Sequence, residues 1–269
     1  MTTLSPEEIE TGAAELYAAE KSRMPIEPLT LRHPQMSMED AYAVQESWVN
    51  QKIADGRKVI GYKIGLTSRA MQQAMKIDIP DYGVLLDDMH FANHSEISAA
   101  DFIDPRVEVE LAFVLKNPLF GNSLTVDDVI NATDYVVPAL ELIAARSHRV
   151  HPETGYTRTV CDTIADNAAN AGIVTGGKKI DPREHDLRWC GALCYHNEII
   201  EETGLAAGVL DHPARGICWI AKRFAPHGIK LEPGQILLAG SFTRPIKVKA
   251  GDDIRADFGE LGEIKCKFT

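Results

Sequence analysis

The chain has 269 residues, enough for one large domain or two small ones, and its 45% hydrophobic and 25% charged residues are ordinary for a globular protein. A net charge of −11 without any Lys/Arg cluster argues against a nucleic-acid partner. No apolar run reaches the ~18 residues of a membrane span and the first residues lack signal-peptide character, so the expectation is a cytoplasmic protein with no membrane partner.

Two helices are expected first. Ser5-Pro-Glu-Glu8 combines an N-cap serine, a proline at the first helical position and a glutamate that completes a capping box, predicting a helix to about Arg23. Ser37-Met-Glu-Asp40 repeats the pattern, with Ala41, Val44 and Trp48 at helical spacing and Gly56 as the stop. Val59 to Ile64 then reads as a short strand, and strand-like runs dominate to about Gly121. Helical pieces return over 125–133, around 165–171 and over 213–225, the last capped by Asp211 and followed by Gly228. Strands are expected at 187–195, 235–239, 246–249, 254–258 and 264–268. Turn signals separate them at Asn197-Glu198, Pro233-Gly234, Gly251-Asp252 and Gly259 to Gly262. Helices first and mixed strands afterwards predict an α+β architecture. Residues 1–75 form a mainly helical region packed on a β-rich core at 76–269, the two making one structural unit.

Three glutamates interrupt apolar strands. Glu108 and Glu110 lie within Val107 to Leu115, and Glu141 lies within Val136 to Ile143. Side chains two apart on a strand share a face, about 6–7 Å apart along it, and carboxylates are rarely buried unless paired or bound to a metal. An oxygen-ligand cation site for Mg²⁺ or Mn²⁺ is one reading; ion pairs with Arg106, Arg146 or Lys63 are the other. Lys63, between Gly61 and Gly65, is either a desolvated proton carrier or a lysine whose stem covers apolar surface while its ammonium reaches water. Five cysteines form no Cys-x-x-Cys pair, and Cys190, Cys194 and His196 read as buried strand residues before they read as zinc ligands. No nucleotide fingerprint and no Gly-x-Ser-x-Gly elbow is present.

Taken together, Lys63-Ile-Gly-Leu-Thr-Ser68, Pro80-Asp-Tyr-Gly83, Glu108-Val-Glu110, Asp134 to Glu141, Asp166-Asn-Ala-Ala-Asn170, Gly208 to Pro213 and Gly240-Ser-Phe-Thr243 resemble the hydratase/decarboxylase branch of the fumarylacetoacetate hydrolase superfamily. The likeness runs in register from about residue 30 to the end. It implies a mixed, curved β-sheet roll with peripheral helices, a Mg²⁺ or Mn²⁺ cofactor, a small-molecule 2-oxo diacid substrate, a homo-oligomer and association with a neighbouring pathway enzyme. By position it makes Glu108, Glu110 and Glu141 metal ligands, Lys63 an acid/base residue, and Asp81 and Ser241 pocket residues, Asp81 catalytic and Ser241 with Thr243 substrate-binding. The stretches His151 to Thr154, Asp162 to Gly172 and Gly240 to Pro245 carry the likeness toward hydration of an unsaturated seven-carbon 2-oxo diacid. Decarboxylation of a related diacid and hydration of a five-carbon dienoate are the alternatives. A far carboxylate needs a cation, and the segment with Arg146, His148, Arg149 and Arg158 is the expected source, Arg146 and Arg158 foremost; a solvated loop is the alternative.

Overall fold

The structure, a computed structural model, describes residues 2–269 except 70, 71, 74–76 and 78, so part of the strand-like stretch expected before Gly121 lies outside the described residues. Its helices begin where the sequence caps them. Ser5 Oγ accepts from Glu8 N and the Glu8 carboxylate accepts from Ser5 N, opening α1 (Pro6–Ser22). A four-residue turn, α2 (Leu29–Arg32), leads to α3 (Met38–Ala54), opened by the same reciprocal bonds between Ser37 and Asp40. Thr125 and Asp128 do likewise for α4 (Val126–Ala132). Among the described residues a further short helix, α5, spans Val160–Ala165, and α6 spans Ala214–Phe224. Asp211 does not cap α6: Pro213 occupies that position and Asp211 pairs with Arg215 on the surface.

The strands form two sheets. The larger contains β1 (Val59–Gly65), β2 (Asp81–Leu86), β3 (His90–Ala92), β5 (Arg106–Leu115), β6 (Thr133–Ile143), β7 (Asn170–Thr175), β10 (Ile236–Leu238) and β11 (Ile246–Lys247). Its order is β2-β1-β10-β5-β6-β7-β3, with β11 on β5; β1/β10 and β3/β7 are parallel, the other pairs antiparallel. The boundary expected at residue 75 therefore falls between two paired strands. The smaller sheet runs β4 (Glu96–Ile97), β13 (Glu263–Phe268), β12 (Asp253–Asp257), β8 (Gly191–His196) and β9 (Ile199–Leu205). The hairpin turn at Asn197-Glu198 is where the sequence put it, both residues at positive φ; the strand β9 beyond it was not expected, because Glu201 and Glu202 break its apolar pattern.

Alternation on β5 sorts its side chains. Val107, Val109, Leu111 and Phe113 enter a core shared with Ile254, Ala256, Ile264 and Phe268 of the smaller sheet, so the two sheets pack through this face. The opposite face carries Arg106, Glu108 and Glu110, then Ala112, which joins a small apolar cluster with Leu85, Val137, Ala139, Ile173 and Leu238. Helices α1 and α3 pack through Ala13, Leu16, Val44 and Trp48 onto Val84, Leu86 and Ile164. Among the described residues, no helix is long and apolar enough to cross a membrane.

The helix expected around 165–171 is replaced by a sharper feature. After α5 the backbone of Asn167, Ala168 and Ala169 turns left-handed at three consecutive positions (φ 52, 50 and 61) before β7 starts at Asn170. Alanine disfavours this conformation, so surrounding bonds must hold it. Asn167 donates to Val84 O and accepts from Val84 N, and Asp166 accepts from Arg146 N and from the Arg146 and Arg158 guanidiniums. Asp166→Ala removes the carboxylate that two buried arginines share, leaving Arg146 only the Glu20 carboxylate at 3.6 Å, a loss of about 3–5 kcal/mol readable by chemical denaturation; a change under about 1 kcal/mol would show that the turn holds itself.

Candidate active site

Cross-strand register assembles the charged face. On β5 and β6, Glu108 lies directly opposite Glu141, and Glu110 lies opposite Ala139. One oxygen from each of the three glutamates falls within 4.8 Å of the others. Lys63 reaches the same face through two pairings, Lys63 with Leu238 and Leu238 with Ala112, and its Nζ sits 3.3 Å from Glu141 Oε1. Asp81 pairs with Gly65, two residues from Lys63 on β1. Lys63, Asp81, Glu108 and Glu110, with Ser241 and Thr243 from the segment after β10, line a cavity of ≈ 290 Å³.

The buried carboxylates are half satisfied. Glu141 Oε1 accepts from Asn170 Nδ2 at 2.8 Å, and Glu110 Oε2 accepts from Gly240 N at 2.9 Å. Glu141 Oε2, Glu110 Oε1 and Asp81 Oδ1 are buried and have no hydrogen-bond partner. Gly240 allows this approach because its φ is +121 and a Cβ there would lie 2.2 Å from Thr67 Oγ1. Ser241 and Thr243 spend their hydroxyls on the backbone: Ser241 Oγ donates to Thr243 O, and Thr243 Oγ1 accepts from Val109 N.

Burial, and then the nearby Glu141 charge, push the Glu108 carboxyl up to about 8; burial, Glu141 and Glu108 drive Glu110 well above the usual range. Asp81 is raised by burial against the opposing pull of Lys63. Burial pulls Lys63 down, but Glu141, Asp81, Glu108 and Glu110 together outweigh it and hold the ammonium above its ordinary value. Orphaned oxygens on converging glutamates are the donor set a hard divalent cation takes. The residues fit such an ion, and among the described residues no other group of His, Cys, Asp and Glu does. Cys190 and Cys194 are free thiols, and His196 faces Asp252 instead.

Three comparisons bear on the identity of this site. The chain is 57% identical over 96% of each sequence to the 2-oxo-hept-4-ene-1,7-dioate hydratase of Escherichia coli. It is 35% identical, over 98% of this chain and 96% of the relative, to a 2-keto-4-pentenoate hydratase of Paraburkholderia xenovorans. The chain belongs to the family of 2-oxo-acid hydratases and 4-oxalocrotonate decarboxylases. Its fold is similar over 100% of both chains, at a TM-score of 0.94 and 32% identity, to the 4-oxalocrotonate decarboxylase of Pseudomonas putida G7 complexed with magnesium and adipate. No family model matches the chain.

Within this family frame, the basic segment sorts differently from expectation. Arg146 does not line the cavity. Its guanidinium is held by Asp166 Oδ1 at 2.9 Å and Asn170 O at 2.9 Å, with Glu20 nearby and the Trp48 ring under it, so it supports the left-handed turn. Arg158 lines the cavity while donating to Asp166 Oδ2 at 3.1 Å. Arg149 and Arg106 line it too, and His148 does not. Asn170 and the left-handed alanines were not legible as site residues: Asn170 looked like helix, and nothing local in Ala168 or Ala169 signals a positive φ.

Gly65 lies between Lys63 and Asp81 and leaves no room for a side chain. A Cβ there would lie 2.2 Å from Asp81 Oδ1 and 3.1 Å from Lys63 Nζ. Gly65→Ala is expected to lower turnover about 100-fold by displacing these groups by an ångström or less, with the melting temperature checked in parallel. Activity within about threefold of wild type would show that the pair tolerates displacement.

Proposed function

We propose that this chain is a divalent-cation-dependent hydratase of 2-oxohept-4-ene-1,7-dioate, forming 4-hydroxy-2-oxoheptanedioate in the meta-cleavage catabolism of an aromatic acid. The observation that carries the reading is the convergence of Glu108, Glu110 and Glu141, with buried unpartnered oxygens on Glu110 and Glu141 and with Lys63 beside them at the cavity. The 57% identity to a hydratase named for this substrate supports it.

Glu108, Glu110 and Glu141 would hold the cation, Mg²⁺ or Mn²⁺. When bound, it supplies Lewis-acid stabilisation to the oxygens of a 2-oxo acid and offsets the glutamate charge that keeps Lys63 protonated. Isomerisation takes a proton from C3 and returns one to C5, moving the double bond from C4–C5 to C3–C4 in conjugation with the ketone. Lys63 Nζ and Asp81 Oδ1, which flank Gly65, are the groups able to hold that proton. Water then adds its oxygen to C4 and its proton returns to C3. The small apolar cluster around Ala112, Val137 and Leu238 keeps bulk water from the inner side of the glutamates. Ser241 and Thr243 shape the mouth beside Val109 and contact substrate there. The protein is read as a cytoplasmic homo-oligomer, a state supported by exposed Ile199 and Ile200 on the edge strand β9, and as an associate of a neighbouring pathway enzyme.

The structural similarity to a decarboxylase favours one second reading, decarboxylation of a related diacid. Incubating the protein with Mg²⁺ and each 2-oxo acid, while following dienol absorbance and released CO₂, separates the two. Hydration without CO₂ supports the hydratase; stoichiometric CO₂ overturns it.

A further inference from the structure

One wall of the cavity carries cations that the glutamates do not use. Along one face of β5 the order is Glu110, Glu108, Arg106, each step about 6–7 Å. Arg149 joins Arg106 from the segment after β6, and both line the cavity. Asp104 holds the pair in place from a left-handed backbone (φ 47). Its Oδ2 accepts from Arg149 Nε at 2.8 Å and from Arg106 Nη2 at 3.2 Å, and Lys247 Nζ lies 2.8 Å from its Oδ1. One carboxylate thus faces three cations and leaves positive charge over. Two of the donors are also unused: Arg149 Nη2 and Arg106 Nε are buried with no hydrogen-bond partner. A buried donor left unpaired costs free energy that an anion would recover.

We propose that Arg149, with Arg106 beside it and both set by Asp104, binds the far carboxylate of the substrate and makes the site select a 2-oxo diacid over the monoacid of equal length. This rests on the 2-oxo acid reading of the glutamate site. Arg149 is the better anchor because its Nε is fixed by Asp104 while Nη2 remains free to donate. Arg158 is spent on Asp166 and adds charge at longer range. Asp104 is a positioning residue in this scheme.

The test is a matched pair of ligands, 2-oxoheptanedioate and 2-oxoheptanoate, which differ only in the far carboxylate. Their affinities are measured by calorimetry with Mg²⁺ present. Wild type is expected to favour the diacid about 10- to 100-fold, the worth of a charge-assisted hydrogen bond. Arg149→Met should bring the ratio toward one, and Arg149→Lys, which keeps the charge without the fork, should fall between. Equal affinities in wild type would overturn the proposal. So would an equal loss for both ligands in Arg149→Met, which would assign the arginine to the 2-oxo end. Turnover of the unsaturated diacid is followed separately: its absence would reject the hydratase reading while the binding ratio still decides this one.

Discussion

Replacing Lys63 with methionine lowers turnover about 100- to 10,000-fold, the usual worth of a positioned acid/base group, while the protein still binds a divalent cation. Methionine keeps much of the lysine's apolar length at a position only 4% exposed, so packing is largely preserved. What disappears is the ammonium 3.3 Å from Glu141 Oε1. Two consequences should separate in measurement. Cation affinity holds or rises, because a competing positive charge has left the glutamates. Stability of the cation-free protein falls, because the buried Glu141 loses the ammonium that faces it and keeps only the Asn170 amide. Stopped-flow turnover and metal titration check the pair, and a kcat within about tenfold of wild type would remove Lys63 from the chemistry.

Chelating divalent cations destabilises the protein, and the loss is greater at about pH 8.5 than at about pH 5.5. In the unfolded chain the glutamates release protons near 4.5, whereas in the fold burial and mutual repulsion push Glu108 up to about 8 and Glu110 well above its ordinary value. Between these limits the folded state holds protons that the unfolded state has lost. Stability of the cation-free protein is therefore full below about 4.5 and declines as pH rises toward about 8. Lys63, raised above 10.5, contributes throughout this window and is lost only at higher pH. A bound cation takes the place of those protons, so the cation-loaded protein escapes the decline; at about 100 times its Kd it also adds about 2.7 kcal/mol. Thermal unfolding with chelator and with Mg²⁺ at the two pH values measures the gap. A gap of equal size at both would mean that the glutamates ionise in the fold as they do in water.

Local chemistry determined much of this protein without help from its tertiary structure. The capping boxes at Ser5, Ser37 and Thr125 started helices where side chain and backbone satisfy each other within one turn. Period-two alternation placed Glu108 and Glu110 on one face, and the charges on that face raised two readings, a cation site or ion pairs. These signals act over a few residues, so the sequence carries them openly. Pairing and partnership over long separations belong to the fold. Register alone set Glu108 against Glu141 and brought Lys63 to the same face across β10. The arginines read alike in sequence, yet Asp166 drew Arg146 into the support of a left-handed turn while Asp104 turned Arg149 and Arg106 to the cavity wall. A guanidinium's role depends on which carboxylate meets it. That turn, built on Ala168 and Ala169, exists because Asn167 and Asp166 are bonded from β2 and from the segment after β6, against the preference of the alanines themselves.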